Sequence, residues 1–231
     1  MKRFFLGAGL AVALFAAPLA AGHFLHSDHT DWAAVLPPPP AAGSLAAQGD
    51  LETVLQVQVD RSPAEVAWAK LVEPDDAFAD FRDVLGPWFH PESLPVTAKF
   101  IQEVTDDVQE VRLKVKGLYL RPRPPAVDRA VQPCVLIPTS NSYPSGHALR
   151  AYVWAAVLGE IFTDRRDELD ARARRVAWGR IIGGVHFPTD SIGGRIIAQA
   201  IVAELRKDPG YRAAVEKCLA ETAGLRLKKA A

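Results

Sequence analysis

Apolar residues recur every three or four positions along most of the chain, and Pro, Gly or Asp closes each such run. The longest stripe is Val96, Phe100, Val104, Val108, Val111 and Val115, one face of a helix ending near Gly117 and destined for a core. Ser62-Pro63-Ala64-Glu65 has the form of a capping box with Pro at the first helical position, opening a helix through about Val72. A further helix fits Asp75 to Leu85 and stops at Gly86-Pro87.

Beyond these, helices are predicted from about Ser145 to Phe162, from Asp164 as cap to Gly183, from Thr189 to Lys207, and after Asp208-Pro209-Gly210. The segment "LETVLQVQV" at 51–59 alternates enough to allow a strand, but nothing nearby offers it a partner. The prediction is an all-α protein with one compact helical domain from about residue 51 to 231. No internal repeat is visible.

Ahead of that domain the pattern changes twice. Lys2 and Arg3 precede an apolar stretch from Phe4 to Ala17 and small residues around Ala20 to Gly22, the form of a secretory signal peptide over residues 1–21. Pro18 interrupts the stretch, which is shorter than the ~20 residues a spanning helix needs. Residues 22–50 then read as an arm carrying "LPPPPAAGS", stiff and afterwards flexible. His23, His26 and His29 in this arm lack partner cysteines and read as a solvated terminus rather than a metal site. The arm leaves a bridge to a second subunit, and so a homo-oligomer, open.

Composition narrows the function. Of 231 residues, 49% are apolar and 23% charged, which excludes disorder as the main state. Lys plus Arg equals Asp plus Glu at 27 each, so no overall field points to nucleic acid or an anionic membrane, and any anion site must be a local cluster. No segment after the leader is apolar for long enough to cross a bilayer. A periplasmic or secreted location follows, where Cys134 and Cys218 either form one disulfide or stand as two thiols.

Three short clusters carry candidate chemistry. In "SYPSGHA", Pro144 leads into a helix start at Ser145 and Gly146, whose unpaired N–H groups attract anions; Gly146 lets an oxygen approach the backbone, Ser145 adds a hydroxyl, and His147 stands beside the bound group. In "KVKGLYLRPRP", Lys114 and Arg121-Pro122 converge only if the loop after Gly117 folds back; otherwise they form a solvated basic edge with Lys116 and Arg123. In "GRIIGGVHFPTD", the interval from His186 to Asp190 suits a carboxylate receiving the imidazole N–H, which leaves the other ring nitrogen as a nucleophile near Arg180. Asp190 also suits a cap for the following helix.

In order and spacing, Lys114 with Arg121-Pro122, then Pro144-Ser145-Gly146-His147, then Arg180, His186 and Asp190 resemble the three-part signature of the type 2 phosphatidic acid phosphatase superfamily. The arm, "YLRPRP" and "SYPSGH" are most similar to the bacterial class A non-specific acid phosphatases. The resemblance implies a helical domain and hydrolysis of small phosphate monoesters through a phosphohistidine, with no metal or other cofactor. By that resemblance His186 is the nucleophile, Asp190 its orienting carboxylate and His147 the acid for the leaving alcohol. Lys114, Arg121, Ser145, Gly146 and Arg180 bind the phosphoryl group. Where the family pattern has Ser immediately before the third-motif arginine, this chain has Gly179, one hydrogen bond fewer to phosphate. The implied roles require protonated His147 and neutral His186, hence an acid optimum.

Three other readings compete. A vanadate-dependent haloperoxidase uses a similar anion cradle, and a lipid phosphatase would need a membrane. A non-catalytic periplasmic phosphate-binding protein would have no use for two histidines flanking the anion. Trp88, Phe89 and Tyr119 are candidates either for a substrate pocket or for core.

Overall fold

The computed structural model describes residues 24–26 and 30–230, the last seven as helix backbone only. The signal segment, His23 and His29 lie outside the described residues. Ten α-helices are assigned in this part: α1 Trp32–Val35, α2 Leu45–Asp60, α3 Pro63–Leu71, α4 Ala77–Leu85, α5 Pro95–Lys116, α6 Pro124–Val127, α7 Gly146–Ile161, α8 Arg166–Ile182, α9 Pro188–Leu205 and α10 Pro209–Ala230. No strand occurs among the described residues. None of the described helices is long and apolar enough to cross a membrane.

Helix α7 is the centre. It is apolar on nearly every side, from Ala148 and Leu149 to Leu158 and Ile161, and most of its residues are buried, as expected of a helix enclosed by neighbours. Helices α8 and α9 pack along its two flanks, α5 and α10 cover a further side, and α3 and α4 lie on α8. The stripe on α5 is buried from Phe100 to Val115, but Val96 at its start is exposed. The Ser62–Glu65 capping box is formed, with Ser62 Oγ accepting from Glu65 N and Glu65 accepting from Ser62 N.

The structure decides three local points. Segment 51–59 is the second half of α2, and that helix runs across the 50/51 boundary from Leu45. Asp164 lies in a short 3-10 turn, Thr163–Arg165, and α8 begins only at Arg166. Cys134 and Cys218 are separate free thiols, the second buried. Part of the arm packs on the domain: Trp32 and Leu36 are buried, Tyr119 Oη donates to Leu36 O and Tyr143 Oη donates to Pro37 O at 2.7 Å, while His26 is exposed, 3.5 Å from Asp208.

One close crossing sets the position of the chemistry. A β-carbon on Gly194 of α9 would sit 2.6 Å from Ser145 O and 3.0 Å from Ala148 Cβ. The missing side chain therefore lets α9 meet the start of α7, where Ser145 N donates to Asp190 O at 2.9 Å. Because the obstructing atom is backbone, Gly194→Ala should cost roughly 1–3 kcal/mol, read as a lower urea midpoint; an unchanged midpoint would contradict the close crossing.

Candidate active site

The α8–α9 turn is built to present one imidazole. Gly184 takes a left-handed φ of +72°, which glycine adopts without the β-carbon penalty, and Val185 N returns to Arg180 O. His186 follows, and Pro188 starts α9 with its fixed φ. Asp190, one turn in, is fully buried and reaches back: its Oδ2 accepts from Phe187 N at 2.9 Å, from Ser142 Oγ at 2.5 Å, and lies 3.1 Å from His186 Nδ1. One carboxylate thus caps the helix and orients the ring.

The tautomer of His186 follows from its other neighbour. Arg123 Nη1 lies 3.1 Å from His186 Nε2, and a guanidinium can only donate. Nε2 is therefore the acceptor, and the ring proton sits on Nδ1, donated to Asp190. Burial pushes the His186 imidazolium down to about 3, with the Asp190 hydrogen bond and charge opposing it and Lys116 and Arg123 adding to it. For Asp190, burial works against ionisation, but the His186 hydrogen bond and charge, Arg121 and Ser142 outweigh it and hold the carboxyl below its usual range. The ring is neutral, with a lone pair directed away from Asp190.

Across the site, His147 lies in the first turn of α7, with Ser145 as the N-cap accepting from Ala148 N. Its Nε2 donates to Glu73 O at 3.1 Å, and its Nδ1 is 3.7 Å from Asp75 Oδ2. Burial first and Arg180 second push it down to about 3, and the charge of His186 contributes too. Arg180, close enough to His147 and Arg123 to lower the pKa of each, is 1% exposed, and its Nε and Nη1 have no hydrogen-bond partner. Burial lowers its pKa while Glu73 raises it. A buried guanidinium with two idle donors costs several kcal/mol unless a ligand satisfies it.

The cations differ from the sequence expectation. Lys114 points outward, paired with Glu110 at 2.9 Å and 41% exposed. Arg121 does not face the space between the histidines: it bonds Asp190 Oδ1 at 2.7 Å, Thr189 Oγ1 at 2.7 Å and Asp50 Oδ2 at 2.6 Å. The positions beside His186 belong to Lys116 and Arg123-Pro124, which repeat the same spacing two residues later. Two residues along a helix are about 200° apart, so Lys114 and Lys116 cannot face one site. Lys116 is buried and donates to Asn141 O at 2.6 Å and Ser142 O at 3.1 Å. Burial, with help from Arg123, pushes it down to about 7. Arg123 is held by Ser140 O and Val185 O at 2.9 and 2.7 Å, and burial pushes it down to about 10.

Two glycines also play other parts than expected. At Gly146 the β-carbon position is taken by Arg112 Cδ, 3.0 Å away, so the glycine makes room for that arginine. At Gly179 a β-carbon would meet Val72 Cγ2 at 3.0 Å and Trp68 Nε1 at 3.3 Å; α3 packs where the serine of the family pattern would begin. Phe89 is fully buried, Trp88 meets Phe89 and Phe162 edge-on, and Tyr119 packs edge-on against Tyr143, all parts of the core. Among the described residues, no group of three His, Cys, Asp or Glu side chains converges as metal ligands would.

With this geometry in view, comparison with known proteins is direct. The sequence profile of the PAP2 superfamily matches residues 97–213, which hold both histidines, Asp190 and all the buried cations just described. The chain belongs to the PAP2 superfamily. It is 28% identical over 211 residues to the non-specific acid phosphatase of Providencia stuartii, covering 87% of this chain and 84% of that one. It is 26% identical to that of Salmonella typhimurium, covering 79% and 76%, and 25% identical to an acid phosphatase of Zymomonas mobilis, covering 86% and 76%. The crystal structure of a transmembrane PAP2-type phosphatidylglycerolphosphate phosphatase from Bacillus subtilis has the same fold, at TM-score 0.54 and 18% identity over 76% of this chain and 89% of that one.

The choice between the two Lys–Arg pairs can be tested by binding. Lys116→Met should weaken orthophosphate at least about 100-fold, the loss of a buried charge-assisted bond, while Lys114→Ala should change it less than about twofold because exposed ion pairs contribute little. The reverse ranking, read by competition with vanadate, would return the site to the first pair.

Proposed function

We propose that the protein is an exported acid phosphatase that hydrolyses phosphate monoesters of varied structure through a phosphohistidine at His186. The observation that carries this reading is Arg180, whose two idle donors are buried in a site that also holds the neutral imidazoles of His147 and His186. A phosphoryl group supplies the oxygens these donors lack. Lys116, Arg123, the Ser145 hydroxyl and the first N–H groups of α7 complete the cradle, spreading positive charge over the equatorial oxygens.

The reaction needs no further group. When the phosphoryl oxygens draw Arg123 away from His186 Nε2, that lone pair attacks phosphorus in line, and the P–N bond forms as the ester P–O bond breaks. Protonated His147 gives its proton to the departing alkoxide. Asp190 accepts the Nδ1 hydrogen bond throughout and balances the positive charge on the phosphorylated ring. Water then attacks phosphorus, His147 takes a proton from it, and the P–N bond breaks to release phosphate and restore His186.

Acid pH enters through the proton on His147. In the empty site this ring is neutral above about 3, so its proton must arrive with the anion. A monoester whose second ionisation lies near about 6 carries that proton below this pH and lacks it above. Turnover therefore falls as pH rises past ~6, while His186 stays unprotonated down to about 3. The charged leader followed by an apolar run supports export, and the relatives named non-specific acid phosphatase support monoesters of varied structure as substrates.

Rapid quench with a ³²P-labelled aryl phosphate at about pH 5, chelator present, tests the reading. Acid-labile, base-stable label on His186 is expected in the native protein and none in His186→Ala, with vanadate blocking phosphate release. Label that persists in His186→Ala would move the nucleophile elsewhere. Tight retention of phosphate without turnover would make the protein a binder.

A further inference from the structure

Behind His186 the structure holds a chain of charges that the reaction described above does not use. Arg121 lies between two carboxylates: Nη1 is 2.7 Å from Asp190 Oδ1 and Nη2 is 2.6 Å from Asp50 Oδ2. Asp50 comes from α2 and is 4% exposed, and its carboxylate also receives Thr189 N at 3.1 Å and the Thr189 hydroxyl. The guanidinium stacks over the Phe187 ring at 4.1 Å. Asp190 divides its two oxygens cleanly, Oδ1 to Arg121 and Oδ2 to His186, Ser142 and Phe187 N.

We propose that Arg121 and Asp50 are positioning residues for the nucleophile, the outer members of an alternating relay Asp50–Arg121–Asp190–His186 that fixes the ring and sets the pH at which its lone pair is free. The proposal rests on the phosphohistidine reading. Its physical basis is that Asp190 alone, buried against an imidazole, would either draw a second proton onto the ring or take one itself. Arg121 removes both choices by binding the far oxygen. Asp50 in turn keeps Arg121 from overcompensating, since an unpaired guanidinium there would weaken the hold of Asp190 on the ring.

The relay has a signature that simple structural support lacks. The charged or titratable groups around His186 are Asp190 from α9, Lys116 from α5, Arg123 from the extended segment before α6 and His147 from α7, with Arg180 of α8 acting on His147 and Arg123; none is altered in the variants below. Removing Arg121 leaves Asp50 and Asp190 with no cation between them, so the potential at His186 becomes more negative and the imidazolium is favoured. Removing the charge of Asp50 leaves Arg121 less compensated, so the imidazolium is disfavoured. The two changes act in opposite directions.

The test is the acid limb of kcat/KM against pH for an aryl phosphate, with the inhibition constant of orthophosphate measured alongside. Arg121→Met should raise the limb by about one pH unit and Asp50→Asn should lower it by about half a unit, as expected for one charge at one remove. The double variant should fall between, and Arg121→Lys should recover part of the shift. Orthophosphate inhibition should change less than about threefold in each, because neither residue touches the anion. Profiles that superimpose on the native one, or shift in the same direction, would overturn the relay and leave both residues as structural; Asp50→Asn supplies the second arm if Arg121→Met does not fold. A 100-fold weaker inhibition constant in Arg121→Met would instead return Arg121 to the phosphate. A native protein with no label on His186 would overturn the reaction and the relay together, whereas label with unshifted limbs overturns the relay alone.

Discussion

A buried guanidinium with two of its donors idle is a costly arrangement, and much of the molecule can be understood as holding Arg180 and its neighbours in place. Arg180 sits in the last turn of α8, and its carbonyl receives Val185 N in the turn that presents His186. Helix α7 brings His147 and Ser145 to the same point because Gly194 allows α9 to touch the Ser145 carbonyl. Lys116 ends α5, and the carbonyls of Asn141 and Ser142 hold its ammonium. The groups come from several elements, so they meet only when the helices are docked.

That arrangement also explains why neutrality overall and strong local charge coexist. The chain carries equal numbers of acidic and basic residues, yet Lys116, Arg123 and Arg180 are gathered out of water in one place and their protonation is opposed by that burial. The imidazoles respond to the same field and stay uncharged. An incoming oxyanion reverses the balance, because the energy that disfavoured each cation becomes attraction to the ligand in a medium of low dielectric. The proposed function rests on this balance, which favours an anion that can accept several hydrogen bonds at once.

Much of this was legible in the amino-acid order. The apolar stripe of α5, the Ser62 cap and the Asp190 cap of α9 follow from periodicity and local hydrogen bonding, and the His186–Asp190 interval survives folding because both residues belong to one helix start. What could not be read was direction. Two Lys–Arg–Pro frames share one spacing, and only the course of the segment after Gly117 decides that Arg123 meets His186 while Arg121 turns to Asp190. Asp50 carries no motif at all; it matters through contacts with residues 71 and 139 positions away. The glycine of "SYPSGH" was legible as a close approach, but the atom that approaches is Arg112 rather than a ligand oxygen.

The central claim is that the anion brings the proton that His147 lacks in the empty site. Calorimetric titration with orthophosphate in buffers of different ionisation enthalpy counts that proton. Near pH 5, where free phosphate is already singly protonated beyond its second ionisation at about 6 to 7, binding should take up almost none. Near pH 8 it should take up at least about one proton per site, and His147→Gln should lose about one of them. No uptake at pH 8, or uptake unchanged in His147→Gln, would contradict the account.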